Sequence, residues 1–116
     1  MKLSILITLL NEELVLAQTH KAISEKLESM ILSEELSDYE ILYVDDGSSD
    51  STLKLIDAIA DENPRVKYIS FSRNFGRESG ILAGFKYATG DAVMVMDGDL
   101  QHPPYLIPLF VEAYKE

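Results

Sequence analysis

Two carboxylates separated by one residue, Asp97 and Asp99, directly follow the apolar run from Ala92 to Met96. An apolar run of this length reads as a buried strand, and the end of such a strand is where an α/β sheet presents functional groups. Two negative charges this close repel one another unless a cation sits between them. A hard divalent ion with oxygen ligands is the simplest remedy, and Mg²⁺ keeps positions open for phosphate oxygens. Gln101, two residues on, can add a neutral amide oxygen. Gly98 is expected to let the backbone turn and to leave room for a ligand. Pro103 and Pro104 fix the backbone after the carboxylates and start a helix. The chemistry implied is a metal–diphosphate site.

Two further acidic groups end apolar runs, at Asn11-Glu12-Glu13 and at Asp45-Asp46. Helix capping alone would also place Asp and Ser at such points. A polar loop, Ser72-Arg73-Asn74-Phe75-Gly76-Arg77, brings two cations, and Arg73 or Arg77 can meet phosphate or pair with a site carboxylate. His102 has no second histidine at metal-ligand spacing, which argues against zinc. His20 falls on an apolar helical stripe and reads as structural.

The elements that must position these groups alternate along the chain. Strands are expected at Leu3 to Leu10, Glu40 to Val44, Val66 to Phe71 and Ala92 to Met96. Between them lie helical patterns: Glu13 to Leu32 with Leu16, Ile23, Leu27, Met30 and Ile31 on one stripe, and a second helix capped from Ser49-Asp50-Ser51 with Leu53, Ile56, Ile59 and Ala60 inward. A third helix runs from Glu78 to Ala88, where Gly80, Ala83 and Gly84 form a thin face for close packing on the sheet. A last pattern passes through Leu106, Leu109, Phe110 and Ala113. This order predicts a mainly parallel sheet with helices on both faces and right-handed crossovers. With strand order 3-2-1-4, the second, first and fourth strands are neighbours and their acids surround one crevice, where open α/β sheets bind ligands.

The 116 residues suit one domain and are too few for two. The last helical pattern is short and uncapped, so a longer protein is expected to continue past Glu116. No apolar run reaches about eighteen residues, the length of a membrane span, and the start lacks the features of a signal peptide. Cysteine is absent, which fits the cytosol. Twenty acids against ten bases give a net charge of −10. Binding to a nucleic-acid backbone depends on Lys and Arg and is not expected. An acidic domain that binds an anionic nucleotide needs a cation between them.

In order, Ile41-Leu42-Tyr43-Val44-Asp45-Asp46-Gly47-Ser48-Ser49-Asp50-Ser51-Thr52, Arg73-Asn74-Phe75-Gly76-Arg77-Glu78, Ala88-Thr89-Gly90-Asp91 and Asp97-Gly98-Asp99-Leu100-Gln101-His102-Pro103-Pro104 resemble the N-terminal half of family 2 glycosyltransferases. The Arg-Asn-Phe-Gly and Asp-Leu-Gln-His-Pro-Pro elements look most like the branch that glycosylates polyprenyl phosphates, such as dolichol-phosphate mannosyltransferases and undecaprenyl-phosphate sugar transferases. The resemblance implies a Rossmann-like three-layer α/β/α fold of the glycosyltransferase A type. Residues 1–116 would form the nucleotide-sugar-binding part of its catalytic domain.

It further implies an inverting transfer from a UDP- or GDP-sugar to a polyprenyl phosphate, assisted by Mg²⁺ or Mn²⁺. Asp97 and Asp99 carry catalysis and, with Gln101, hold the metal. Thr8, Leu10, Glu12, Val44, Asp45, Asp46 and Gly98 match nucleotide-binding positions. Thr8 and Leu10 depart from the family's usual proline and aromatic, so the aromatic contact to the base is missing. The acceptor site and any general base lie beyond this segment, which is expected to transfer no sugar by itself. The parent protein would sit at the cytoplasmic face of a membrane, with homo-oligomerisation left open. A non-catalytic nucleotide-binding or scaffold domain is the alternative from another class. A phosphoacceptor receiver is disfavoured because the third strand ends in Ser70-Phe71-Ser72-Arg73, and a dinucleotide site because the first turn has no glycine.

Overall fold

A computed structural model describes residues 1–98 and 103–116. Asp99, Gln101 and His102 lie outside the described residues. Strands and helices alternate as β1 (Lys2–Leu9), α1 (Leu16–Leu32), β2 (Asp38–Asp45), α2 (Thr52–Glu62), β3 (Val66–Ser70), α3 (Arg77–Tyr87), β4 (Ala92–Asp97) and α4 (Leu106–Lys115). All three strand pairs are parallel and the sheet order is β3-β2-β1-β4, the order that the sequence predicts.

The layering follows from the two-residue period of a strand. Leu3, Ile5, Ile7 and Leu9 of β1 and Tyr39, Ile41 and Tyr43 of β2 face one side, where Leu16, Ile23, Leu27 and Met30 of α1, Ile56 of α2, and Ile107 and Val111 of α4 cover them. Leu6, Leu42 and Val44 face the other side, against Ile81 of α3. Right-handed crossovers require this split. The steps from β1 to β2 and β2 to β3 run in one direction and place α1 and α2 together. The return to β4 places α3 opposite. Close approach of α3 depends on its small residues. A Cβ at Gly84 would overlap the Leu6 side chain, and one at Gly80 would lie 3.0 Å from Thr8 Cγ2.

Beneath α3 a buried carboxylate ties three elements together. Glu40, on β2, accepts from Ser4 Oγ at 2.5 Å and from the Thr89 amide at 2.6 Å, and pairs with Lys67 Nζ at 2.6 Å. Gly90 N–H completes the network on Ser4 Oγ at 2.8 Å. Burial alone would raise the Glu40 pKa, but the Lys67, Ser4 and Thr89 hydrogen bonds outweigh it and hold the group at about 2.

Two helix faces differ from expectation. In α2 the inward residues are Thr52, Leu55, Ile56, Ile59 and Ala60, so Leu55 takes the place predicted for Leu53. In α4 the buried residues are Ile107 and Val111, while Leu109 is 55% exposed. An apolar residue beside the true stripe shifts a face read from hydrophobicity alone. Among the described residues, no helix is long and apolar enough to cross a membrane.

Candidate functional site

Parallel register brings the ends of three strands level. Thr8 of β1 sits opposite both Val44 of β2 and Asp97 of β4, and Leu9 sits opposite Asp45. The loops leaving these ends enclose a cleft of about 290 Å³, near the lower end of the range for small-ligand sites. Of the residues singled out from sequence, Thr8, Leu10, Glu12, Asp46, Arg77, Asp97 and Gly98 line it. Val44 and Asp45 lie behind it, with 0% and 1% exposure. Arg73 is absent from the lining; its guanidinium instead stacks 4.8 Å from the centroid of the Phe75 ring. Leu9, Asn74 and Gly76 complete the wall.

Three acids around the cleft, Glu13, Asp46 and Asp50, accept backbone amides from a neighbouring loop. The turn after β1 is set by Asn11, whose φ of 54° lies in the left-handed region that asparagine tolerates better than most residues. Its Oδ1 accepts the Ser49 and Asp50 amides at 2.8 and 3.3 Å, and its own N–H donates to Ser48 Oγ at 2.9 Å. Glu12 N–H donates to Thr52 Oγ1 at 2.9 Å, Glu13 N–H to Asp50 Oδ2 at 3.3 Å, and Ser51 N–H to Glu13 Oε2 at 3.0 Å. Asp50 Oδ1 also accepts the Thr52 amide at 2.9 Å, so the side chain that opens α2 is Asp50 within the predicted Ser49-Asp50-Ser51 segment. Asp45 accepts the Ser48 amide at 3.3 Å across its own turn. The β1–α1 and β2–α2 loops are thus interlocked.

Asp46 reaches further along the chain. Its Oδ1 accepts the Phe75 amide at 2.8 Å and its Oδ2 the Gly76 amide at 3.1 Å, leaving the residue 4% exposed. Gly47 makes the contact possible. At φ 76°, a Cβ there would collide with the backbone of Arg73 and Asn74. Gly76, with φ 98° and ψ 155°, then turns the chain into α3 through a region open essentially to glycine alone.

Asp97 stands at the end of β4 on the cleft wall. Arg77 Nη2 and Nε lie 3.1 and 3.3 Å from its Oδ1, and the two side chains are 53% and 29% exposed. Thr19 Oγ1, on α1, donates to the Gly98 carbonyl at 3.3 Å. The space beside Gly98 is filled by protein, because a Cβ would strike Leu9 Cδ2. Among the described residues no group of three or more His, Cys, Asp or Glu is placed to hold a metal. Asp97 is the one described member of the Asp97–Asp99–Gln101 set, and its partly exposed oxygen donors on the cleft wall suit a hard cation. His20, half-buried, shares a hydrogen bond with the Tyr43 hydroxyl at 2.7 Å, and burial lowers its pKa, in keeping with a structural role.

Sequence patterns did not mark Thr19, and they named Asn74 within its loop without giving it a role. Thr19 lies among the buried residues of α1 yet is polar, and a polar residue on an apolar stripe is the signal that could have found it.

Residues 4–116 match the family model described as Glycosyl transferase family 2. The bactoprenol glucosyl transferase of Shigella phage SfX is 39% identical over 117 residues, covering 99% of this chain and 36% of that protein. The mannosyltransferase PcManGT from Pyrobaculum calidifontis, solved in complex with GDP-Man and Mn²⁺, shares the fold with a TM-score of 0.68 at 18% identity, over 84% of this chain and 27% of its own. TarS 1–349 of S. aureus, in complex with UDP-GlcNAc, superposes with a TM-score of 0.58 at 27% identity, over 85% and 27% of the respective chains. The chain therefore spans about a third of the length of the curated relatives it matches.

Proposed function

Because the chain belongs to glycosyl transferase family 2, we propose that it is the donor-binding part of an enzyme that moves a sugar from a nucleotide-diphospho-sugar to a polyprenyl phosphate. One observation carries the reading: Glu12, Asp46, Asp97 and Arg77 converge on one cleft at the carboxyl ends of β1, β2 and β4. The likeness to a bactoprenol glucosyl transferase and to a protein solved with UDP-GlcNAc supports the acceptor and donor classes.

In this reading the nucleoside lies along Thr8, Leu10 and Glu12, backed by Val44, Asp45 and Asp46, with Gly98 on the opposite wall. Arg77 meets the diphosphate, since a guanidinium matches phosphate oxygens in charge and geometry. Asp97, Asp99 and Gln101 would hold Mg²⁺ or Mn²⁺. When bound, the cation supplies Lewis-acid stabilisation of the charge that builds on the departing nucleoside diphosphate. The acceptor oxygen attacks the anomeric carbon from the face opposite the diphosphate. Its bond to carbon forms as the carbon–diphosphate bond breaks, which inverts the configuration. A phosphate acceptor is already ionised and needs no general base to remove a proton.

The acceptor site would lie in the remainder of the full-length protein, acting at the cytoplasmic face of a membrane. Titration of UDP- and GDP-sugars into the full-length protein, with and without Mn²⁺, followed by product analysis with a polyprenyl phosphate, tests the proposal. Metal-dependent binding and a glycosylated lipid phosphate of inverted configuration are expected. Binding without turnover would favour a non-catalytic nucleotide-binding domain.

A further inference from the structure

We propose that the outer face of α3, with the Arg73–Phe75 loop that leads into it, is a docking surface for an anionic phospholipid bilayer. The contact would present the cleft to an acceptor held in that bilayer, a consequence that rests on the polyprenyl-phosphate reading above.

α3 carries apolar residues on its outward as well as its inward face. Gly80, Ile81 and Gly84 turn towards the sheet. Leu82 and Phe85, three residues apart and so neighbours on the helix surface, are 70% and 50% exposed. The exposed residues of α2 differ in kind and include Lys54, Asp57 and Asp61. Phe75, 49% exposed, adds a third apolar side chain in the loop before α3. Its ring meets Phe71 edge-on at 5.5 Å, and Phe71 packs on the same side of the sheet as α3. Exposed aliphatic and aromatic side chains grouped in this way mark an interaction surface.

Charge selects the partner. Residues 71–90 hold three bases, Arg73, Arg77 and Lys86, against one acid, Glu78. The rest of the chain has seven bases against nineteen acids, so this segment is a cationic strip on an acidic protein. Two of its cations lie against aromatic rings, Arg73 4.8 Å from the Phe75 centroid and Lys86 Nζ 5.7 Å from that of Tyr87. Cations beside exposed aromatic and aliphatic side chains suit a bilayer interface, where the apolar groups enter the acyl boundary and the cations meet lipid phosphates. The acids of α1 and α2 lie across the sheet, in a molecule 24 Å along its shortest axis. That places them beyond the screening length of about 8 Å at physiological salt. A negative bilayer therefore attracts the α3 side with little opposition from the other. The contact also adjoins the cleft, because Asn74 and Gly76 of the same loop line it.

The test is electron paramagnetic resonance on the full-length protein, with any other cysteine replaced by serine. A nitroxide is attached through Phe85→Cys or, as a control on α1, through Glu25→Cys; Leu82→Cys gives the same readout should Phe85→Cys not fold. The protein is reconstituted with phosphatidylcholine vesicles, with and without roughly one-third phosphatidylglycerol. In the anionic vesicles the label on α3 is expected to gain collisions with oxygen and lose collisions with a water-soluble nickel chelate, while the label on α1 is unchanged. The unlabelled Leu82→Gln/Lys86→Glu double variant alters exposed side chains outside the cleft. Its KM for polyprenyl phosphate in anionic vesicles should rise roughly tenfold, with nucleotide-sugar affinity by calorimetry unchanged. A label on α3 that stays accessible to nickel in anionic vesicles would overturn the proposal, as would an unchanged KM in the double variant. A label shielded from both reagents in every preparation would also overturn it and assign the face to a second copy or to another part of the protein. A protein that docks through α3 yet binds no nucleotide-sugar would overturn the donor-binding reading and uphold the docking surface.

Discussion

Arg77 directs both Nε and Nη2 at a single oxygen of Asp97, joining the start of α3 to the end of β4 across the mouth of the cleft. The pair is largely solvated, and exposed ion pairs contribute only about 0–1 kcal/mol to stability. Its value therefore lies in placing a positive charge among the acids of the cleft. Arg77→Gln should lower the melting temperature by no more than a few degrees. In the full protein it should cost roughly tenfold in nucleoside-diphosphate affinity, read by calorimetry. A large loss of stability with unchanged affinity would make the pair a structural strut instead.

Removing one of the carboxylates proposed to hold the metal separates folding from chemistry. Asp97→Asn or Asp99→Asn in the full protein should reduce metal-dependent sugar transfer by about a hundredfold or more, with the circular dichroism spectrum unchanged. The assay is product formation against Mn²⁺ concentration. Wild-type turnover in the Asp99→Asn variant would sink the metal assignment.

The Glu40 network predicts an acid-sensitive fold. The folded-state pKa, about 2, lies below the ordinary carboxyl value of 4.5, so the stabilisation is fully present above that ordinary value. It is lost as pH falls from there through the folded pKa. The shift corresponds to at most about 3 kcal/mol. Urea melts between pH 6 and pH 2 should lose this component, and Glu40→Gln should flatten that part of the profile. An identical pH profile in the variant would assign acid sensitivity to other carboxylates.

Space beneath α3 gives a packing prediction. Alanine is the better helix former, by about 1 kcal/mol. At Gly84, however, a Cβ would overlap the buried Leu6 side chain, and overpacking of this kind costs about 1–3 kcal/mol. Gly84→Ala should therefore destabilise the chain in denaturant melts, with Leu6→Val in the same chain recovering part of the loss. A stabilised Gly84→Ala variant would show that α3 can retreat from the sheet without penalty.

The strand order and the alternation of elements were legible because apolar runs and helical stripes are long-period signals that survive local error. The faces of α2 and α4 were less so. Leu55 and Ile107 are distinguished from Leu53 and Leu109 by what lies opposite them, and composition does not record that. The acids at strand ends were legible as a group, because Asp45, Asp46, Glu12 and Asp97 each follow an apolar run. Their division of labour was not. Asp46 finds its partners at Phe75 and Gly76, and Asn11 finds its own at Ser49 and Asp50. Those pairings come from segments distant in sequence, brought together by the sheet. Thr19 escaped for the same reason, since its acceptor is the carbonyl of Gly98.

The interlocked loops around the cleft have a consequence for how this end of the molecule opens. Among the described residues, amides of the loops after β2 and β3 are answered by a side chain from another loop: Ser49 and Asp50 by Asn11, Ser51 by Glu13, Phe75 and Gly76 by Asp46. The loops after β1, β2 and β3 cannot separate without releasing these donors. In native-state hydrogen exchange the rim would then behave as a single opening unit, its amides exchanging with a shared free energy below that of the central strands. Binding at any one point of the rim would slow exchange at all of them.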